Sequence, residues 1–458
     1  MRWVISRIDS QVFQSGARLP SIRALAKVRD VSAFTVAEAY DRLAAIGRVE
    51  PRRGSGVYVL PPLRPPGPAM PRTRIDLIWL TQHMLDSGSA RGPGLGVLPS
   101  GWLDGPHIAD ALRALGREGP GRWLASGGSH GFAPLREVLQ HRLDGLGVVA
   151  GADQVVLTTG ITQGLDLVLR TLVRPGETVL TLDPSWFGAL GLLAAHGANV
   201  VSVACGAEGP DLAVLERMAI ATRPRLMILS VTAQNPTGVT LSAETVRGLL
   251  DIAGRHDVAI FEDDVYADFG PPSMLRFAAA DQLRRVIYGG SFSKTLAPNL
   301  RVGFLAAGAD MAQRLAETKI LTGFTTPEIN ERLLHRLLRD SRYARHARLL
   351  DQRVAACRGR AQATLEDMGF TVLGRPKSGI FLWVDTGVDT YELAARAREF
   401  GLLIAPGGLF SPTQERSTWT RFNVTTPFDE SLAAVLKIAR ANSTCRDVNV
   451  PLEGPFSV

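Results

Sequence analysis

Cysteine is scarce in this chain. Cys205, Cys357 and Cys445 are the three thiols among 458 residues, far apart and without a C-x-x-C pair. That usage excludes a disulfide framework and offers no zinc-ligand spacing, so free thiols in a reducing compartment are expected. Long apolar runs are missing too: no stretch approaches the roughly 18 residues needed to cross a bilayer. The N-terminal MRWVISRIDSQVFQSGARLP has charges scattered through it and no apolar h-region, so a secretory signal is not expected. Low-complexity tracts and internal repeats are absent. With 45% hydrophobic and 21% charged residues, the composition is that of a globular chain, long enough for two or three domains. The expectation is a cytoplasmic protein that does not enter a membrane.

What is present in excess is positive charge. The formal net charge is +7, and its distribution is uneven. Residues 1–60 hold ten basic groups against five acidic ones, a local excess of +5. A proline-rich break, LPPLRPPGPAMPRTR, follows at 60–74 and favours extended backbone, which reads as a semi-rigid linker. The expected organisation is a small unit over 1–59, a linker over 60–75, a large unit over 76–445 and a loose tail over 446–458. Within the large unit, about 125–325 forms a large part and about 340–445 a small one.

The small unit reads helix, helix, helix, hairpin. SIRALAKVRD carries Ile22, Leu25, Ala26 and Val28 at helical spacing behind Ser21, a suitable N-cap. Ser32 can cap the next helix, whose apolar face holds Val36, Ala39, Tyr40 and Leu43 and which Gly47 stops. RVEPRRGSGVYVL then gives two short β-prone runs around a basic tip. Two short helices at a tight turn followed by a basic wing is the grammar of a winged helix-turn-helix. In LPSIRALA, VSAFTVAEAYDRL and RRGSGVYV the unit resembles the GntR family of bacterial transcription regulators. The resemblance spans 18–59, with a short first helix and with Ala33 where many relatives place arginine. In such a unit the turn containing Ser32, Phe34 and Thr35 faces base edges in the major groove of duplex DNA. Ser21, Arg23, Arg52 and Arg53 meet phosphates, with the hairpin tip that includes Gly54 and Gly56 alongside.

The large unit alternates strands and helices. QVVLTTG, TVLTLDP, ANVVSVAC, RLMILSV, VAIFEDD, RVIYGGSF and VGFLAAG are strand-like, separated by amphipathic segments such as SAETVRGLLDIAGRH with Ser242 as cap. This predicts an α/β fold with a mostly parallel sheet and helices on both faces. After Thr325 the pattern turns helical, and a smaller α+β portion with strands in SGIFLWVD and RFNVTT closes the chain.

Such sheets collect ligands at the carboxyl ends of their strands, and unusual residues stand there. TTGITQG offers the amides of Ile161 and Thr162 at a helix N-terminus, a phosphate cradle. DPSW supplies Trp186, QNPTG supplies Asn235, FEDDVY supplies Asp263 and Tyr266, and SFSKTLAPNLR supplies Ser291, Ser293, Lys294 and Arg301. Pyridoxal 5'-phosphate accounts for all of them. Its aldehyde needs an amine (Lys294), its ring nitrogen an acid, its phenolic oxygen donors (Asn235, Tyr266), and its flat ring an aromatic (Trp186). Its phosphate needs hydroxyls and a guanidinium: Thr162, Ser291, Ser293 and Arg301.

The ordered series G-x-T, D-P-x-W, N-P-T-G, D-x-x-Y, S-x-S-K, R resembles the fold-type I aminotransferases of class I/II, over roughly 76–440. The resemblance implies that Asp263, rather than its neighbour Asp264, holds the ring nitrogen. It also implies that Arg421 in WTRFNV clamps a substrate carboxylate. In RWLASGGSHGFAPLREVL, Trp123, Ala125 and Ser126 replace the family's aromatic-glycine-aspartate. A GntR-type reader fused to such a domain resembles the MocR subfamily, which implies a homodimer that binds an operator and senses an amine or amino acid. Two other readings stay open: an active aminotransferase with a vestigial reader, and a DNA-binding module whose large part only dimerises.

Overall fold

The computed structural model describes all residues except 1, 10–11, 14–15, 46–48, 53–54, 60–76, 87–90, 120–123, 272 and 447–458. The linker expected at 60–75, Gly47, Arg53, Gly54, Trp123 and nearly all of the expected tail therefore lie outside the described residues. The chain divides into two compact units, Met1–Arg74 and Ile75–Val458.

The smaller unit holds helices Arg2–Asp9, Ile22–Arg29 and Ala33–Ala45, then β1 (Val49–Arg52) paired antiparallel with β2 (Gly56–Val59). Ser21 and Ser32 cap the second and third helices, their hydroxyls accepting from the amides of Ala24 at 3.2 Å and Thr35 at 3.0 Å. Asp30 closes the second helix in the left-handed region at φ 51°, so the two helices meet across a very short turn. Val4, Leu25, Val36, Tyr40, Leu43, Val49 and Val59 form the unit's own core. The Tyr40 hydroxyl donates to the Pro20 carbonyl at 2.9 Å, tying the third helix to the segment before the second.

In the larger unit, eight strands make one sheet: β3 (Val155–Thr158), β4 (Thr178–Asp183), β5 (Asn199–Gly206), β6 (Gly209–Pro210), β7 (Leu226–Leu229), β8 (Ala259–Asp263), β9 (Val286–Ser291) and β10 (Gly303–Ala306). Their order is β3-β10-β9-β8-β7-β4-β5-β6. The central pairings β5/β4/β7/β8/β9 are parallel, and β10 runs antiparallel between β9 and β3. β3, β7 and β10 are buried along their whole length, as a sheet covered on both faces requires. One core packs around Leu157, Leu180, Met227, Ile260 and Phe304, and another around Val156, Leu165, Ile228, Phe261 and Leu305. They alternate along the strands, one core per face.

The helical stretch after Thr325 is two helices, Glu328–Leu338 and Ser341–Asp367, broken where the Asp340 side chain caps the second. The smaller part contains an antiparallel sheet in the order β11 (Thr371–Val372), β12 (Phe381–Asp385), β14 (Trp419–Asn423), β13 (Ala405–Pro406). Leu80 of helix Leu77–Asp86 and Leu98 belong to this part's core, although they precede the large sheet in the chain. A final helix, Glu430–Arg446, runs through Cys445.

Two glycines let the edge of the large sheet close. Gly160 turns the chain from β3 into helix Ile161–Leu172 at φ 89°, a conformation side-chain-bearing residues rarely adopt. Gly303 lies against it: a Cβ at 303 would stand 2.9 Å from Gly160 Cα and carbonyl carbon and 3.0 Å from the Gly290 oxygen. All three neighbours are backbone and cannot swing aside. Gly303→Ala is expected to lower unfolding stability by about 1–3 kcal/mol, the usual cost of overpacking. Gly101→Ala, where nothing lies within 4 Å of the added carbon, is expected to cost far less; urea unfolding of the two variants checks the difference.

Candidate functional site

The carboxyl ends of β3, β4, β7, β8 and β9 converge on one cavity of about 230 Å³. The strands deliver these side chains from their last residues or from the connections that follow. β3 leads to Ile161 and Thr162, β4 to Trp186, β7 to Asn235, β8 to Asp263 and Tyr266, and β9 to Ser291, Ser293 and Lys294. Arg301, just before β10, and Arg421 on β14 complete the lining. All eleven residues selected for the cofactor and the carboxylate thus line the same space. Of the residues selected for DNA contact, Ser21, Arg23, Ser32, Phe34, Thr35, Arg52 and Gly56 lie on the separate N-terminal unit.

At one end of the cavity, Gly160 caps the helix Ile161–Leu172 without offering a side chain, and Ile161 and Thr162 of its first turn line the space. Arg301 adopts φ 47° and sends Nη2 to the Thr159 carbonyl at 3.0 Å, directly over this turn. A Cβ at Gly160 would lie 2.6 Å from that nitrogen, so the close approach depends on glycine there. Ser291 Oγ donates to Ser293 Oγ at 3.1 Å, which aligns two hydroxyls beside the same turn.

The acid and the amine stand further along. Asp263 ends β8, accepts from the Val265 amide at 3.2 Å and is half-buried at the cavity wall. Burial, with the Asp264 charge behind it, pushes its carboxyl up to about 6, against the pull of Val265 N–H and Lys294. Asp264 turns the other way and is buried, accepting from Arg276 Nε at 2.6 Å and from the Tyr288 hydroxyl at 2.9 Å. Lys294 Nζ donates to the Gly96 carbonyl at 2.6 Å. Burial and the charges of Arg421 and Arg301 bring its amine down to about 8, with Asp263 opposing.

Arg421 is 1% exposed. Nη2 donates to the Gly94 carbonyl at 2.6 Å and Nη1 to Asn235 Oδ1 at 3.0 Å, while Nε has no partner. The rings of Phe381, Phe410 and Phe187 surround the guanidinium at 4.4, 5.2 and 5.4 Å. Burial lowers its pKa to about 10, with Tyr266 opposing. Three basic side chains against one acid line the cavity. Such a site suits an anionic ligand, and two separate cations suit one with anionic groups at two ends.

Several lining groups carry no sequence motif. Thr81, Met84 and Leu85 come from helix Leu77–Asp86, and Gly96 and Val97 from the segment after it. That segment is held by Asn423, whose Nδ2 donates to the carbonyls of Leu95 at 2.9 Å and Val97 at 2.8 Å. The glycine spacing of RGPGLGV is the signal that could have marked it: Gly94 packs against the backbone of Leu403 to Ala405 within 2.8 Å of an added carbon.

Residues 98–437 match the family model "Aminotransferase class I and II", and residues 4–59 match "Bacterial regulatory proteins, gntR family". The chain is 30% identical over 433 residues to the HTH-type transcriptional regulator YdcR of Escherichia coli (strain K12), covering 91% of this chain and 92% of that protein. It is 33% identical over 361 residues to the 2-aminoadipate transaminase of Thermus thermophilus, covering 75% and 89% respectively. Among solved structures it resembles the α-aminoadipate aminotransferase LysN, also of Thermus thermophilus, complexed with N-(5'-phosphopyridoxyl)-L-leucine. There the TM-score is 0.71 at 28% identity, with 81% of this chain and 96% of that one covered.

The ion pair behind Asp263 generates a test. Asp264 and Arg276 side chains are both fully buried, and the nearby Glu262 carboxyl is held up by burial and by Asp264. Arg276→Met strands a buried charge and is expected to cost about 3–5 kcal/mol. Adding Asp264→Asn is expected to recover part of that loss in a double-mutant cycle of urea unfolding.

Proposed function

Since the chain belongs to the class I and II aminotransferase family and joins that domain to a GntR-type reader, as in regulators of the MocR type, we propose that it is a transcription regulator. On this reading it holds pyridoxal 5'-phosphate and senses an amine or amino acid. The observation that carries the reading is the cavity in which Lys294, Asp263, Arg301 and Arg421 meet, on a chain that also folds a DNA-reading unit.

The donor set fits the cofactor. Bound there, pyridoxal phosphate supplies an electrophilic carbon and an electron-withdrawing ring. Arg301, Ser291, Ser293 and the amides of Ile161 and Thr162 take the phosphate. Lys294, whose Nζ here donates to the Gly96 carbonyl, would be the amine that holds the aldehyde carbon. Asp263 keeps a proton on the ring nitrogen. Asn235 commits its carbonyl to Arg421, so its NH2 group and the Tyr266 hydroxyl are the donors for the phenolic oxygen. Trp186, which lines the cavity, would supply a flat apolar face for the ring. Arg421 grips a carboxylate of the effector, and its caged position fixes where that carboxylate sits. Lys294 Nζ would also be the base able to take up or return a proton beside the aldehyde carbon.

Regulation then requires that the effector bind two arrangements of the protein unequally, and the coupling must be reciprocal. The protein acts as a homodimer on paired half-sites of operator DNA, in the cytoplasm. No helix among the described residues is long and apolar enough to cross a membrane. The similarity to a transaminase favours, as a second reading, turnover of an amino donor with a 2-oxo acid.

The test uses the full chain loaded with pyridoxal phosphate. An amino acid that changes the visible absorption of the cofactor is expected to change affinity for a selected DNA duplex. Lys294→Ala is expected to abolish the spectral response while leaving effector-free DNA binding intact. Multiple turnovers of transamination with no duplex selected by the protein would overturn the regulator reading.

The lowered Lys294 pKa predicts a pH profile. The neutral amine is the form that attacks, and it predominates above about 8 rather than above the ordinary 10.5. The rate at which the cofactor-free protein captures pyridoxal phosphate is expected to rise with pH and level off above about 8. Arg421→Met removes a positive neighbour and is expected to move that midpoint upward; stopped-flow absorbance across a pH series spanning that midpoint measures both.

A further inference from the structure

We propose that the reader unit recognises the 5-methyl group of thymine in the major groove, through the exposed ring of Phe34. The proposal deepens the DNA-binding reading and rests on it. Phe34 lies in the first turn of helix Ala33–Ala45 and is 77% exposed, while Val36, Tyr40 and Leu43 of the same helix are buried in the unit's core. An aromatic ring so placed contributes nothing to the core and costs free energy in water. Val31 before it is 42% exposed, and Ala33 is exposed beside it, so the turn presents a small apolar surface.

The polar alternatives are missing or engaged. Residues 31–41, VSAFTVAEAYD, contain no arginine, lysine, asparagine or glutamine. Those are the side chains that read guanine and adenine bidentately. The Ser32 hydroxyl accepts from the Thr35 amide at 3.0 Å and is bonded to the Thr35 hydroxyl at 2.8 Å, so both serve the helix cap. Glu38, one turn further, could accept from cytosine N4 but is paired with Arg42 at 2.6 Å. Asp41 lies two turns in, beyond the N-terminal turn that reaches base edges in this architecture. What this turn offers a base pair is apolar contact, and in the major groove the thymine methyl is the apolar feature. Arg23 on the preceding helix and Arg52 on the hairpin, the latter bonded through Nε to Glu50 at 2.9 Å, are exposed cations suited to phosphates, which keeps positioning separate from reading.

The experiment selects duplexes from a randomised pool with the full-length, cofactor-loaded chain. Deoxyuridine then replaces thymidine one position at a time in a selected duplex. Affinities are read by fluorescence anisotropy at one fixed salt concentration. At one thymine per half-site, loss of the methyl is expected to weaken binding roughly fourfold, the value of burying one such group. Phe34→Ala is expected to bind the thymidine and deoxyuridine duplexes alike. Phe34→Leu, still apolar, is expected to keep a preference for thymidine. An unchanged melting profile, expected for an exposed site, shows that Phe34→Ala is folded. Deoxyuridine tolerated at every position, or a thymidine preference that survives in Phe34→Ala, overturns the proposal and leaves the DNA-binding reading standing. Failure to enrich any duplex overturns both.

Discussion

Lys294, Arg301 and Arg421 share one small cavity with a single carboxylate, Asp263. Three positive groups brought together repel one another, and Lys294 and Arg421 also lose hydration. The fold meets this cost locally. Arg421 is caged by three aromatic rings and bonded to a carbonyl and an amide oxygen. Lys294 shifts toward its neutral form. Arg301 leans on a main-chain carbonyl at the accessible end. The positions of the strands, the turn at Gly160 and the packing of β14 against the segment around Gly94 all serve to hold these groups apart yet facing one space.

Much of this was legible in the sequence, because a parallel sheet places its chemistry at predictable points. Each of TTG, DPSW, QNPTG, FEDD and SFSK begins where an apolar run ends, so period and motif together put Asn235, Asp263 and Lys294 at strand ends. What was not legible is non-local. Phe187, Phe381 and Phe410 read as ordinary core residues until the fold closes them around Arg421. Helix Leu77–Asp86 carries no motif, and its place beside the site depends on packing with residues far along the chain. Likewise, the residues alone do not say which of Asp263 and Asp264 faces the cavity; Arg276 and Tyr288 draw Asp264 away from it.

The N-terminal unit shows a different economy. Ser21, Ser32 and Thr35 are expected contacts to DNA, and the structure uses the same oxygens to begin helices. At Ser21 the two roles are compatible, since the capping oxygen accepts while its own proton can still be donated, whereas Ser32 and Thr35 spend a hydroxyl proton on each other. The sequence pattern identifies the turn well, but the division of labour among its side chains emerges only once exposure and hydrogen bonds are known.

Of the cations in the cavity, Lys294 is anchored by the main-chain oxygen of Gly96, and Arg421 by that of Gly94 together with the Asn235 side chain. No side-chain replacement can delete a peptide carbonyl. At these two glycines the vulnerability is one of shape. At position 94 even a methyl group would meet the Ala405 nitrogen at 2.7 Å and the Leu403 oxygen at 2.8 Å. Across a lineage, the grip on these cations can persist through wide drift in chemistry nearby, provided the ribbon from 91 to 98 keeps its contour.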